Sequence, residues 1–257
     1  MSKRIAVVGA HGYVGREMVR LFKEHDPYEY GTDFGTKEEV NKCDVAFICV
    51  PTPMMKDGKC DTSIVEEVIG WIETPLIIIR STVSPGTIEK LIKKTGKHIV
   101  FQPEYVGETV AHPLNDTSGR NFLIFGGSKE DCHEALRVYH MVYNASTNTL
   151  ITTPREAEMI KYMENSFIGT YVVFCNEFFE LCKAFDVDYD IVREGFLLDP
   201  RMTRFWTFVF EESRGFGGKC IPKDMNGIVH SSNEVGYEPS FLQSVIKEND
   251  RMVDLTI

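Results

Sequence analysis

The sequence predicts an α/β protein in which an N-terminal Rossmann-like, doubly wound parallel sheet is followed by a smaller all-helical domain. Three features predict it. Short, fully apolar runs alternate with segments of helical spacing over residues 1–150, the pattern of strands buried on both faces and joined by crossover helices. A glycine-rich turn, "VVGAHGYVG", separates the first apolar run from the first helical segment, where a doubly wound sheet binds phosphates. Beyond Thr152 the strand signal stops and one long helical pattern begins.

Taken in order, "RIAVVG" reads as the first strand and "YVGREMVRLFKEH" as the helix that follows it. "DVAFICV", "PLIIIRST", "HIVFQPE" and "NFLIFGG" are continuous apolar runs of strand length. Between them "TSIVEEVIGWIE" and "GTIEKLIKKT" carry apolar residues at helical spacing, each with a threonine placed to cap its start. "TPREAEMIKYMENSFIGTYVVFCNEFFELCKAF" then reads as one long helix, its proline and acids suited to a helix N-terminus. The remainder is mainly helical, interrupted by "RGFGGKCIPKD". The expected domains are therefore 1–150, dinucleotide-binding, and 151–257, helical.

The 257 residues are 43% hydrophobic and 26% charged, ordinary for a globular chain. A net charge of -10 argues against a nucleic-acid partner, which requires basic surface to neutralise phosphates. No apolar run approaches the ~20 residues that span a bilayer, so no membrane partner is expected. The seven cysteines (Cys43, Cys49, Cys60, Cys132, Cys175, Cys182 and Cys220) form no C-x-x-C pair. That suits a reducing, cytoplasmic setting and leaves room for one reactive thiol. No metal is expected.

Gly9, Gly12 and Gly15 give G-x-x-G-x-x-G rather than G-x-G-x-x-G. The turn follows a strand and opens a helix, so Gly9, His11, Gly12, Tyr13, Val14 and Gly15 are read as a pyrophosphate cradle; the alternative is a tight turn without a ligand. Asp33 is preferred over Glu29 as the acid that holds the ribose hydroxyls, beside the alternative of a merely acidic surface turn. "CVPTP" and "RSTVSPGT" each follow a strand and bring Val50, Pro51, Thr52, Ser81, Thr82 and Thr87 to the crevice side of the sheet. In "PEYVGE", Glu104 and Glu108 are either an acid–base pair or two solvated acids. In "AEMIKYMEN", Lys161 and Asn165 stand i, i+4 on one helix face; the lysine is either partly desolvated or an exposed salt-bridge former. Last, Cys220 sits in "GFGGKCIPKD", a stiffened glycine loop with Asp224 four residues on, which resembles a presented nucleophile more than a core thiol.

In order along the chain, "GYVG", "CVPTP", "DGKCDTSIV", "RSTVSPGT", "PEYVGE", "AEMIKYMEN", "DPRM" and "GFGGKCIPKD" resemble the nucleotide-sugar dehydrogenases, the UDP-glucose and GDP-mannose 6-dehydrogenases. The resemblance implies NAD as cofactor and oxidation of a sugar C6 alcohol to a carboxylate in two hydride transfers, with UDP-glucose as the default substrate. It implies that Cys220 captures the aldehyde, and that Lys161 and Asn165 stabilise the oxyanion. Asp224 would assist proton transfer and thioester hydrolysis, while Thr82 and Glu108 would hold a water near the reacting carbon. Glu104, Tyr105, Val106, Phe216, Gly217 and Gly218 complete the implied substrate site. A homodimer is expected through the apolar "FIGTYVVFCNEFF" surface, with Arg201 reaching the neighbouring subunit's site.

Four departures from the family pattern stand out. Ala10 and His11 occupy the turn where one residue is usual, which predicts a wider loop around His11 with Gly12 nearest the phosphates. The stretch from "DFGTKEEV" to "DVAFICV" is short, which leaves the ribose acid open, and Gly107 stands where an arginine is common. The chain ends where the family continues into a second Rossmann-like domain, so a short form lacking that domain is expected. Two other readings stay open. A single-step hydroxyacid dehydrogenase would need no cysteine loop, and a non-catalytic binding subunit would not need the Cys220, Lys161, Asn165 and Asp224 set.

Overall fold

A computed structural model of the protein describes residues 3–105, 121–144 and 146–256. In chain order the elements are β1 (Ile5–Val8), α1 (Tyr13–Leu21), β2 (Tyr28–Tyr30), α2 (Lys37–Val40), β3 (Val45–Ile48), α3 (Ser63–Trp71), β4 (Leu76–Ile79), α4 (Thr87–Thr95) and β5 (Ile99–Phe101). Then come β6 (Phe122–Gly126), α5 (Lys129–Tyr139), β7 (Asn148–Thr152), α6 (Pro154–Ala184), α7 (Tyr189–Phe196), α8 (Cys220–Glu234) and α9 (Ser240–Asp254). They fall into two compact units, one of residues 1–55 with 60–161 and one of residues 56–59 with 162–257, the division lying inside α6.

The first unit is the expected Rossmann-like α/β layer. Its seven strands run in the order β2-β1-β3-β4-β5-β6-β7. The order turns between β1 and β3, and in such sheets the crevice beyond the strand ends at that point takes the ligand. Ala6, Val8, Ala46, Ile48, Ile77, Ile79 and Phe101 pack on one face with Val65, Ile69, Ile88 and Leu91. Ile5, Val7, Val45, Phe47, Ile78 and Val100 pack on the other with Met18, Ala135, Val138 and Tyr139. Covering both faces is why these strands read as unbroken apolar runs. Each fully buried Val, Leu or Ile contributes about 1.5–3 kcal/mol of transfer free energy.

Some local expectations are corrected. The sheet is not wholly parallel: β6 runs antiparallel to β5, at the register Phe101↔Gly126, and parallel to β7. Strand β7 has a polar, exposed sequence that gives little strand signal. Neither expected threonine caps its helix. Thr62 has φ -100° and ψ 5° and makes no side-chain cap; its hydroxyl donates to Glu66 Oε1 at 3.1 Å, and Asp61 Oδ1 accepts the Ser63 N–H instead. Thr87 lies inside α4, whose N-cap is Gly86 in the left-handed region, with φ +87°. A side chain there would be strained, and the missing cap comes from Glu158 on α6. Its Oε2 accepts the Gly86 N–H at 2.5 Å and its Oε1 the Ile88 N–H at 2.9 Å.

The start of α6 follows its sequence signal. Pro154 occupies the first turn. Thr153 Oγ1 accepts the Glu156 N–H at 3.3 Å, while Glu156 Oε2 accepts the Thr153 N–H at 3.0 Å, a reciprocal capping box. In the second unit Val173, Phe216, Met225 and Val245 form one small core and Cys175, Cys182 and Tyr189 another. Residues 56–59 pack here: Lys59 Nζ lies 3.3 Å from Glu234 Oε1, and Asp57 Oδ2 lies 3.7 Å from His230 Nε2.

Glu158 makes stability depend on pH. Burial pushes its carboxyl up to about 7 from the usual 4.5, outweighing the pull of the Ile88 and Gly86 N–H groups. The folded chain therefore holds this proton more tightly than the unfolded chain. The contribution is full below about pH 4.5 and is lost as pH rises through about 7. In urea titrations, the stability of the wild type relative to Glu158→Gln should fall between pH 5 and pH 8, by at most about 3 kcal/mol. A difference independent of pH would contradict this.

Candidate functional site

The glycine turn closes β1 onto α1. Gly9 has φ +82°, its N–H donates to the Tyr30 carbonyl at 2.8 Å, and a Cβ on it would stand 2.7 Å from the Cys49 carbonyl oxygen. Only glycine allows that approach between the ends of β1 and β3. Gly12 is the N-cap of α1, where no side-chain cap bond forms and no acid occupies the first turn. Such an N-terminus presents N–H groups and positive potential to an anion, so these residues fit a pyrophosphate. The Gly12 N–H donates to the Gly9 carbonyl at 3.0 Å, closing the turn around Ala10 and His11. The His11 ring stacks on Phe34, with centroids 3.8 Å apart, and its Nε2 lies 3.4 Å from Glu29 Oε2. Asp33 is exposed and accepts the Thr32 hydroxyl at 3.4 Å. The acid that meets the glycine turn is thus Glu29.

Two loops leave the neighbouring strand ends and lace together. Ser81 Oγ donates to the Val50 carbonyl at 2.7 Å, and Thr52 Oγ1 donates to the Thr82 carbonyl at 2.8 Å. Both hydroxyl residues are buried, Pro51 is exposed and Thr82 is half-buried. Beneath them Arg80 is wholly buried. It donates through Nη1 to the Tyr139 hydroxyl at 3.0 Å and through Nη2 to Glu104. Tyr139 passes the chain on to Gln102 Oε1 at 2.8 Å. Glu104 also accepts the Tyr105 N–H at 2.6 Å. The half-buried Lys161 holds its Nζ 5.0 Å from the Tyr105 ring centroid. Glu108 and Val106, and Gly107 between them, lie outside the described residues.

In the second unit Cys220 opens α8 and is exposed, the one cysteine of the seven that is. Burial pushes the Cys49 and Cys132 thiols up to about 12, so both stay protonated at neutral pH. One turn on from Cys220, Asp224 is 1% exposed; its Oδ2 accepts the Asn165 amide at 2.5 Å and its Oδ1 the Lys223 ammonium. Because α6 is unbroken, Lys161 and Asn165 stand one turn apart along it. Gly217 and Gly218 are exposed before the cysteine, whereas Phe216 turns its ring into the core. Arg201 is exposed and clamped by Asp199, with Nη2 to Oδ2 at 2.6 Å.

Several residues that hold this loop were not read from the sequence. Arg214 is buried, with Nε bonded to Asn176 Oδ1 at 2.8 Å and Nη1 to Glu180 Oε1 at 2.7 Å. Asn249 clasps Phe216 from both sides, accepting its N–H at 2.6 Å and donating to its carbonyl at 3.1 Å. A lone asparagine inside the apolar "VVFCNEFF" was the available signal. Among the described residues no group of His, Cys, Asp and Glu is arranged to hold a metal. No described helix is long and apolar enough to cross a membrane.

This pairing of a glycine-turn sheet with a helical unit that presents a thiol has relatives. Residues 16–146 match the NAD binding domain of the UDP-glucose/GDP-mannose dehydrogenase family, and residues 155–251 match its central domain. The chain belongs to that family, whose first domain identifies NAD as the cofactor. It is 31% identical over 234 residues to a putative UDP-glucose 6-dehydrogenase of Bacillus subtilis, covering 86% of this chain and 54% of that one. It is 30% identical over 244 residues to a UDP-glucose 6-dehydrogenase of Haloferax volcanii, covering 85% and 56%. The chain thus spans about half the length of these curated relatives. Among solved structures, a UDP-glucose dehydrogenase from Pyrobaculum islandicum shares the fold with a TM-score of 0.84 at 24% identity, over 98% of this chain and 68% of that one.

The buried Arg80–Glu104 pair carries a measurable consequence. Arg80→Met strips the Glu104 carboxylate of its guanidinium inside the core, which should cost about 3–5 kcal/mol of stability. Urea denaturation checks this; a loss below about 1 kcal/mol, the size expected of an exposed pair, would contradict it.

Proposed function

We propose that the protein oxidises the C6 alcohol of a nucleotide sugar, UDP-glucose in the first instance, to the carboxylate through Cys220. The observation that carries this is Cys220, exposed at the head of α8, with the buried Asp224–Asn165 pair one turn behind it. NAD, held by the glycine turn and the Val50–Thr52 and Ser81–Thr82 loops, supplies the hydride acceptor in both steps. Glu29, which meets the turn through His11, joins Asp33 as a candidate for the ribose hydroxyls.

In the first oxidation C6 loses a hydride and its hydroxyl a proton, which leaves an aldehyde. The Cys220 thiolate adds to that carbonyl; Lys161 and Asn165 donate to the developing oxyanion, and the product is a thiohemiacetal. Loss of a second hydride from C6, with the hydroxyl proton, leaves a thioester. Water held through Asp224 attacks it, the C–S bond breaks, and carboxylate and thiol are released. A thiolate suits this work because it both attacks carbonyls and leaves from thioesters. Glu104 and Thr82, with Glu108, are assigned to the water and proton path. Arg201 and Tyr105 are assigned to the sugar nucleotide, with the exposed Gly217 and Gly218; Phe216, whose ring is in the core, is not. We place the boundary between the two family domains at residue 150, between the 16–146 and 155–251 matches and ahead of the division of the compact units inside α6, and the protein in the cytoplasm, where free thiols persist.

The partner is proposed to be a second copy. Along α6, Met163, Phe167, Phe174 and Phe178 are exposed, at 76, 60, 46 and 41%, an apolar stripe of the kind that marks an interface. Arg201 would then reach the neighbouring site. Light scattering should give twice the chain mass for the wild type and the chain mass for Phe174→Glu with Phe178→Glu; a wild-type monomer would contradict the dimer. For the reaction, NADH is counted per UDP-glucose or GDP-mannose consumed. Two per sugar are expected, with a steep loss in Cys220→Ala and a loss of about 10²–10³ in Lys161→Ala. One NADH per substrate, or full turnover without the thiol, would sink the thioester route.

A further inference from the structure

The Glu158 carboxylate is wholly buried, yet it lies outside the chemistry described above. It sits on α6, one turn before Lys161. Its two oxygens accept the Gly86 and Ile88 N–H groups at the start of α4. Those are groups that a helix leaves unpaired unless a cap is supplied, and Gly86, the N-cap residue, has no side chain to supply one. The loop that ends at Gly86 begins at Arg80 and carries Ser81 and Thr82, whose backbone and hydroxyl bonds fix the crevice loops. Arg155, one turn earlier on α6, pairs with Glu89 in the first turn of α4, and Ala157 of α6 joins the same core as Ile88 and Leu91 of α4. The capping box at Thr153 and Glu156 fixes the start of α6. The Glu158, Arg155 and Ala157 contacts hold α6 against the 80–88 loop and the start of α4, and Glu158 is the one that makes two buried hydrogen bonds across.

We propose that Glu158 is a positioning residue for the oxidation: by capping α4 from α6 it holds Lys161 in register with the Thr82 loop. The proposal rests on the nucleotide-sugar reading. A lysine that stabilises an oxyanion has to be placed to within a fraction of an ångström, and a misplacement near 1 Å costs about 10²-fold in rate. Loss of the cap should therefore appear in kcat, because ground-state binding of sugar nucleotide and NAD does not depend on that placement.

The test uses the full chain as wild type, Glu158→Gln, Glu158→Ala and Lys161→Ala, and the double variant of Glu158→Ala with Lys161→Ala. Gln keeps one carbonyl oxygen as acceptor but turns an amide N–H₂ toward the second N–H, so it retains one of the two bonds and much of the packing. Glu158→Gln is expected to lose about tenfold in kcat and Glu158→Ala about a hundredfold, with KM for both substrates within about twofold. In the Lys161→Ala background the Glu158→Ala loss should shrink to within about twofold, since the residue acts through the lysine. Unchanged kcat in both Glu158 variants, or an equal loss with and without Lys161, would overturn the proposal. A second readout separates this from failure of the functional reading. If the wild type turns over no nucleotide sugar, the reductive methylation rate of Lys161, followed by mass spectrometry, decides instead. A change of about fivefold or more in Glu158→Gln supports the positioning role, and an unchanged rate overturns it.

Discussion

The Arg80–Glu104 pair is the constraint on which the crevice side of the sheet depends. Moving a guanidinium and a carboxylate out of water is costly, and the cost is offset only when the remaining donors and acceptors are also satisfied. Here Tyr139 on α5, Gln102 after β5 and the Tyr105 N–H join the network. Three elements are thereby tied to one another at the level where the strands end. The loops that leave those ends, at Val50–Thr52 and Ser81–Thr82, inherit fixed starting points. Their own cross-bonds, Ser81 to Val50 and Thr52 to Thr82, tighten what the buried pair has already set.

The two units contribute different chemistry. The first supplies backbone: a glycine turn closed to 2.7 Å at a hypothetical Cβ of Gly9, an uncapped helix N-terminus, and hydroxyls turned inward to carbonyls. Such a surface suits an anionic, flat cofactor, and the same unit carries Lys161 and Glu104. The second supplies reactive side chains. Its one exposed thiol stands at a helix start, in contrast to Cys49 and Cys132, whose thiols burial raises to about 12. Arg214, Asn176 and Asn249 hold the loop that presents it by bonds to backbone and to one another. A glycine loop free to bend in solution is fixed there by buried polar anchors.

The sheet, the glycine turn, the long helix and its Pro154 start were legible because each has a strong local signal: continuous apolar runs, a strand–turn–helix context, a proline beside acids. Cys220, Asp224, Lys161 and Asn165 were legible as spacings. Other features were not, for physical reasons. Strand β7, with exposed Asn148, Thr149 and Leu150, has no apolar alternation to betray it. The cap on α4 comes from a residue far along the chain, and local rules look only at the neighbouring threonine. The stack of His11 on Phe34 and the approach of His11 to Glu29 depend on how the loop after β2 folds back, which no local pattern signals. Phe216 looked like part of a glycine loop and is instead a core side chain, because Asn249 turns its backbone inward.

In the proposed reaction Cys220 carries the sugar covalently between its two oxidations. The most direct measurement of this is intact-protein and peptide mass spectrometry on Asp224→Ala, mixed with UDP-glucose and NAD and quenched in acid. Slowed hydrolysis should let the thioester accumulate, giving an acyl mass increment on the peptide that contains Cys220 and on no other cysteine peptide. Turnover to the carboxylate with Cys220 unmodified at every quench time, and undiminished in Cys220→Ser, would contradict the claim.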